Sequence, residues 1–431
     1  MAVQQVLGTD KTIRLNDFTT LGLVQNFNWA PNFNAQDVFE LGRTTRLDTL
    51  MELETSGSFE LTSSGNLAGL IARMKPTYTA NQFTGYAYAP AASATGVNAY
   101  TYTQDQLADL KFDIVQHEKT EQTNFDRSTY LACCYPTTFA GRVDATGMAM
   151  DTINWAGLYV VGFPTPYHDV RTVACTKVTA TTATVTGSIT ATTHTLAYVT
   201  VDGRPVRTVA DGGVSAAFAT STITFTGITI PDGAIIMAAF YKTTAPNTTW
   251  SAVHAPSTVG TGTGAVFGVR GFQANVYIAP ANATAPSASE QWLKVQSVDY
   301  NLDLRVEALR QVAFNSQGTT IYTRVPTFPF STTVNATVNE ADWADWKQML
   351  TGKTFSGGTI YNNTYDFAPN SLKSSFAVVI DYFTKAGTKI QTVTMDDLRV
   401  DSMGNRINVG GRGEITWSLK GSTFKVQGFN P

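Results

Sequence analysis

Two distant segments of this chain spell the same strand. VQNFNWAPNFN begins at Val24 and VQSVDYNLDLR at Val295, 295 − 24 = 271 residues later. In the first, Phe27, Trp29, Pro31 and Phe33 alternate with Asn28, Ala30, Asn32 and Asn34. In the second, Val298, Tyr300, Leu302 and Leu304 alternate with Asp299, Asn301, Asp303 and Arg305. Such strict alternation marks a half-buried strand. A chain that repeats a strand at long range is built from repeated units.

The repetition continues downstream. SGSFELTSSGNLAGLIARMK, from Ser56 to Lys75, reads as a strand followed by a short amphipathic helix, and so does TTVNATVNEADWADWKQMLT, from Thr332 to Thr351. Leu67, Leu70 and Met74 share one helical face, as do Trp343, Trp346 and Leu350, at a separation of 343 − 67 = 276. Ser63 or Ser64 is the expected cap of the first helix and Asn339 of the second, with Asp342 at its capping-box position. RVDATG at Arg142 matches RVDSMG at Arg399, 399 − 142 = 257 residues on, and each precedes an Ile-x-Trp strand. Both hexapeptides read as turns between paired strands, with Asp144 and Gly147 equivalent to Asp401 and Gly404 and the glycines free to take positive φ.

Four elements recurring in order imply two copies of one β-rich module. The expected division is a first module at 1–165, an insert at 166–250, a linker at 251–265 and a second module at 266–431. The insert is Thr- and Val-rich, with turn signals at Asp202-Gly203 and Pro231-Asp232-Gly233, and reads as a small β-sandwich. The first copy also carries a longer connection, from about Pro76 to Leu107. It reads as a protruding arm or a binding loop, its stretch to Tyr102 expected to become ordered only on assembly. The fold class expected is therefore mainly β: two tandem sandwich or barrel modules, each with one short helix, plus the insert.

Composition narrows the function. The chain is 43% hydrophobic and 15% charged, enough to bury a core, and its net charge of −3 without basic runs argues against tight nucleic-acid binding. The start MAVQQVLGTDKTIRL lacks the basic flank and apolar run of a secretory signal, and no stretch approaches the ~18 apolar residues of a membrane span. Synthesis in a cytoplasm is expected. The three cysteines, Cys133, Cys134 and Cys175, make no disulfide framework. The histidines His117, His168, His194 and His254 show no metal-ligand spacing, and no nucleophile elbow, Cys-x-x-Cys or Walker loop occurs. His117 beside Glu118 reads as a surface pair. No catalytic, cofactor-binding or metal site is expected, and no enzymatic activity. In LMELETSGSFEL, Glu52, Glu54 and Glu60 share one strand parity and Met51, Leu53, Phe59 and Leu61 the other, giving one acidic and one apolar face.

The order of these elements resembles the tail tube proteins of long-tailed bacteriophages. LGLVQNFNWAPNFNAQDVFELGRTTRLDTLMELETSGSFELTSSGNLAGLIARM and WLKVQSVDYNLDLRVEALRQV carry the resemblance. It implies β-sandwiches with one helix that form six-fold rings stacked into a hollow conduit for DNA. A duplicated chain, as in some siphophage tubes, implies homotrimeric, pseudo-hexameric rings. The implied partners are further copies of the chain stacked head to tail, a tape-measure protein in the lumen, and terminator and baseplate or tip proteins. Double-stranded DNA passes through, and no membrane is involved. The implied location is the virion, after assembly in the host cytoplasm. Glu52, Glu54 and Glu60 become the lumen-facing candidates. The second copy lacks an acidic match in TFPFSTTVNATV, so lumen charge is expected to alternate around the ring. The other expectations are a terminator or baseplate-proximal ring of the same fold, or a glycan-binding adhesin carried by an Ig-like insert.

Overall fold

A computed structural model describes residues 11–16, 19–20, 24–38, 48–63, 67–86, 98–120, 124–163, 171–185, 189–206, 214–242, 268–281, 291, 295–310, 321–339, 375–407 and 413–429. The chain is mainly β. Its first part runs β1 (Lys11–Leu15), β2 (Thr19–Thr20), β3 (Val24–Val38), β4 (Asp48–Thr62), α1 (Leu67–Met74), β5 (Pro76–Thr79), β6 (Gln82–Tyr86), β7 (Asn98–Thr103), α2 (Gln104–Ala108), β8 (Phe112–Thr120), β9 (Asn124–Asp144), β10 (Met150–Gly157) and β11 (Tyr159–Phe163). The middle comprises β12 (Arg171–Thr179), β13 (Thr182–Val185), β14 (His194–Val201), β15 (Arg204–Val206), β16 (Ser215–Ala219), β17 (Thr222–Thr226) and β18 (Ile236–Lys242). The last part comprises β19 (Ala274–Pro280), β20 (Val295–Asp303), β21 (Val306–Arg310), β22 (Ile321–Pro326), β23 (Ser331–Asn339), β24 (Phe376–Phe383), β25 (Lys389–Ile407), β26 (Gly413–Gly421) and β27 (Thr423–Phe429).

The first and last parts share a topology. Strands pair as β3–β4–β10–β9 in one and β20–β23–β26–β25 in the other. In each, the fourth strand is long and runs on into a second layer. There β9 pairs with β8 and β11, with β1 beyond, and β25 pairs with β24 and β27, with β19 beyond. Both long strands hold a left-handed residue where they change layers, Cys133 (φ 50°) and Asp397 (φ 52°). The two four-stranded sheets are joined by β20 and β9, making one continuous eight-stranded ladder. One apolar core runs through both parts, from Phe59 and Trp155 to Trp417 and Phe424.

The ladders also correct the sequence register. Anchored on Ile153-Asn154-Trp155 and Ile415-Thr416-Trp417, cross-strand partners equate Ser58 with Thr337 and then Asn28 with Ser297, a shift of 297 − 28 = 269 rather than 271. A slip of two leaves every side chain on the same face, which is why alternation alone did not reveal it. The RVD hexapeptides are not equivalent. Arg142 pairs with Met150 at the start of β10, whereas Arg399 pairs with Lys420 near the end of β26. Asp144 does begin a turn, accepting the Thr146 amide at 3.0 Å, but Gly147 keeps an ordinary φ. Asp401 and Gly404 lie inside β25, where Gly404 pairs with Thr416.

Helix α1 buries every residue except Arg73, with Leu67 and Leu70 each 3% exposed. A helix of two turns is not stable alone and depends on this packing. Its first amide, Leu67 N, donates to Gln391 Oε1 on β25 at 2.6 Å, so the far part of the chain caps it. Ser63 instead donates its hydroxyl to Asp151. Ser64, Asp342 and the equivalent Trp343, Trp346 and Leu350 lie outside the described residues. Asn339 is the last residue of β23.

The described ends of the long connection pack against other parts of the chain, and its residues 87–97 lie outside the described residues. Strands β5 and β6 form a hairpin whose Phe83 and Tyr86 pack on Ala174, Ile235 and Met237 of the middle strands. β7 pairs with β27 of the last part. The middle strands form one hydrogen-bonded path, β15–β14–β18–β12–β13–β17–β16, around a separate core. Their outer surface is docked: Tyr198 stacks on Tyr159 at 6.0 Å and packs with Tyr130 and Val115. The Asp202-Gly203 hairpin forms as read, with φ of 51° and 77°, the two left-handed residues a type I′ turn needs. A Cβ on Gly203 would come 2.4 Å from the Cβ of Cys133, so this turn also seats on the bend of β9.

Candidate functional site

The eight-stranded ladder has two unlike faces. One cross-strand row runs Asn26, Glu60, Thr152, Ala140, Asn301, Thr333, Lys420 and Arg399, and none of these is buried. The next row on the opposite face runs Leu61, Asp151, Gly141, Tyr300, Val334 and Leu419, all buried. The period of two continues this pattern along the strands, so a broad, mainly polar surface with a few small or apolar residues such as Ala30, Ala140 and Met150 backs onto the core. It crosses the β9–β20 joint without a break.

Glu60 lies on this polar face beside a concavity of about 310 Å³ shared with Arg142, Asp299, Asn301 and Asn335. Glu54 has the same parity and accepts from Arg310 Nη2 at 2.8 Å. Glu52 pairs with Asn34 in the backbone register, but its side chain lies outside the described residues. Two further carboxylates, Asp299 and Asp303, share this face. The second copy is not without carboxylates there; it carries them on β20, whereas the first carries its own on β4. Their signal was visible in the alternation of VQSVDYNLD, which puts both aspartates on the polar parity. Burial raises the pKa of Asp299, partly offset by Arg142.

Among the described residues the cross-strand row ends on two basic groups, Lys420 and the exposed Arg399, and Arg142 lies nearer its middle. The Arg142 guanidinium sits between Asp144 at 3.3 Å and Asp299 at 3.5 Å. Lys420 lies 3.7 Å from Asp401. Hydrogen bonds from the Thr146 amide and hydroxyl hold the Asp144 carboxyl below the usual carboxylate range. Around Arg142 the surface thus presents carboxylates and amides, with that cation held between two aspartates.

Behind it, Tyr300 Oη donates to Asp151 at 3.3 Å, reaching across the intervening strand over Gly141. Burial pushes the Asp151 carboxyl up to about 6. A folded-state pKa above the unfolded one favours folding at low pH. That stability is complete below about 3.8 and is lost as pH rises through about 6. A shift of this size corresponds to about 3 kcal/mol. Asp151→Asn is therefore expected to narrow the stability difference between pH 4 and pH 7.5 by about that amount relative to wild type, read by chemical denaturation. An equal effect of the variant at both pH values would show that the carboxyl does not titrate in this window.

Other groups are structural. His117 Nδ1 and Ser128 Oγ lie 2.8 Å apart, but both residues are buried, and Glu118 is too, so the expected surface pair is an interior one. Asp113 accepts from the Cys133 amide at 2.6 Å and the Tyr130 hydroxyl at 2.8 Å, tying down the bend of β9. Burial lifts its pKa to about 6 and that of the Cys133 thiol to about 12. All three cysteines are buried and free. Among the described residues no His, Cys, Asp or Glu cluster is arranged to hold a metal, and no helix is long and apolar enough to cross a membrane.

No protein-family model and no curated protein matches the chain. Among solved structures, the SPP1 tail tube, determined by solid-state NMR and cryo-electron microscopy, is similar at 10% identity and a TM-score of 0.24. That match covers 38% of this chain and 81% of the SPP1 chain. A likeness this low does not decide the fold, which rests on the strand pairing above.

Proposed function

We propose that this chain is a structural virion protein, a tail tube subunit whose rings stack into a conduit for double-stranded DNA. The observation that carries the reading is the mainly polar, unburied face that runs across the eight-stranded ladder. A bore through which a polyanion slides needs solvated, unsticky walls. DNA carries about one charge per ~1.7 Å of axis, so even a few ordered cations would retain it. Arg142 held between two aspartates fits that requirement. Glu52, Glu54 and Glu60 then face the lumen from the first module and Asp299 and Asp303 from the second.

In this reading three chains, with two modules each, fill six places in a ring, and heterologous contacts close it. Fusing two modules makes half of those contacts intramolecular, which lowers the entropy cost of closure. The tape-measure protein occupies the bore during assembly, terminator and tip proteins close its ends, and the middle strands decorate its outside. Negative-stain microscopy of concentrated protein tests this. Three-fold rings or tubes are expected; a monodisperse monomer at high concentration would sink the reading.

A further inference from the structure

The polar face dips at the joint between the two halves of the ladder. Ala140 on β9 carries the smallest side chain of its cross-strand row, set between Thr152 on β10 and Asn301 on β20. The concavity of about 310 Å³ lies over it and reaches from Glu60 on β4 to Asn335 on β23. It is a trough laid across the strands.

Its ends and its middle differ in chemistry. Glu60 stands at one end, without an ion pair among the described residues. Asp299 stands toward the other, with the amide of Asn335 opposite it on the next strand. Between them the floor is small and apolar, made of Ala140 and Met150, with the Thr152 hydroxyl and the Asn301 amide at its rim. From β4 to β20 is three strand spacings, roughly 14 Å. One metal ion cannot bridge carboxylates so placed, since its oxygen ligands lie within about 2.6 Å of it. An anion finds no free cation either, because Arg142 is held by Asp144 at 3.3 Å and Asp299 at 3.5 Å.

We infer that this trough binds an extended aliphatic polyamine, a triamine of the spermidine type. One terminal ammonium meets Glu60 and the other Asp299, while the methylene chain lies over Ala140 and Met150. The central ammonium then passes the Thr152 hydroxyl and the Asn301 carbonyl, both of which can accept its hydrogen bonds. Charge fits this occupant. Glu60, Asp144 and Asp299 stand against Arg142 alone, 1 − 3 = −2, which two terminal ammoniums balance. Burial raises the Asp299 carboxyl, and Asp144 raises it further against the pull of Arg142. An ammonium beside Asp299 opposes both effects. A diamine is too short to reach both ends.

The site stands independently of the tube reading, and its test does not involve assembly. The intact protein is titrated calorimetrically at low ionic strength with spermidine, putrescine and hexaamminecobalt(III), which equals spermidine in charge but is compact. Spermidine should bind about fivefold more tightly than either, because only it makes both end contacts. Glu60→Gln and Asp299→Asn should each weaken spermidine about fivefold and abolish its advantage over putrescine. Ala140→Leu should weaken it about tenfold, since the larger side chain fills the trough without changing a charge. Asp232→Asn, at an exposed carboxylate of the middle strands, should leave binding unchanged. All four variants should keep wild-type circular dichroism. Equal binding of spermidine and hexaamminecobalt(III), or unchanged binding in a folded Ala140→Leu, would reveal only diffuse attraction to an acidic face and overturn the site. Rings or tubes in the microscope would stand or fall separately.

Discussion

Gly141→Val is expected to destabilise the protein by about 3–5 kcal/mol. Gly141 lies on the buried face of β9, between Asp151 on β10 and Tyr300 on β20. A Cβ there would sit 2.3 Å from both Cζ and Oη of Tyr300. The atoms met are not a loose chain end: the Tyr300 ring packs against Phe424 at 5.9 Å, and its hydroxyl is bound to Asp151. Relief requires moving the ring, which costs about 1–3 kcal/mol in overpacking and about 1–3 more for the hydrogen bond lost to a buried carboxyl. Because that ring comes from the second half of the chain, the clash falls on the joint between the two halves. Equilibrium unfolding of Gly141→Val, Tyr300→Ala and the double variant checks this. The double variant should cost at least ~1 kcal/mol less than the sum of the singles, since deleting the ring removes the clash. Strict additivity would mean that the cost of the valine does not arise from the Tyr300 ring.

This site explains what the sequence made legible. Alternation at Phe27 to Asn32 and Val298 to Arg305 assigned the faces correctly, because face depends only on parity. The Asp202-Gly203 turn was readable because its two left-handed residues are a local requirement. Register was not readable, because it is set by partners hundreds of residues away and by irregularities that differ between the copies. One lies between Asn154 and Trp155 in the first, another between Val400 and Ser402 in the second. That is why RVDATG and RVDSMG, the best sequence match, occupy different places. The capping of α1 by Gln391 was hidden for the same reason, as was the pairing of β7 with β27. The polar face was half visible. Glu54 and Glu60 stand out because they cluster on one strand, whereas the alternation that contains Asp299 and Asp303 reads first as burial rather than as charge.

Trp155→Ala and Trp417→Ala are expected to lower one shared unfolding transition, each by about 3–5 kcal/mol. The two tryptophans are counterparts, each 1% exposed, at the third position of their Ile-x-Trp strands. Two tandem units joined only by a linker would unfold separately, and each substitution would then shift its own transition. Here the ladder is continuous through β9 and β20, one core contains both indoles, and β7 of the first part completes the layer of β27 in the last. Calorimetry of the two variants decides between these outcomes. If Trp417→Ala shifts one heat-absorption peak and Trp155→Ala a different one, the halves are independent domains. If both move the same peak, the joint is strong enough to make the pair one cooperative body. The middle strands, with Phe225 and Phe240 in a core of their own, provide the internal contrast. Phe225→Ala should cost its own core about 3–5 kcal/mol while leaving the tryptophan-sensitive transition nearly in place. That pattern is what a rigid wall with an attached decoration requires: stiffness where the ladder must hold its register, and separability where it need not.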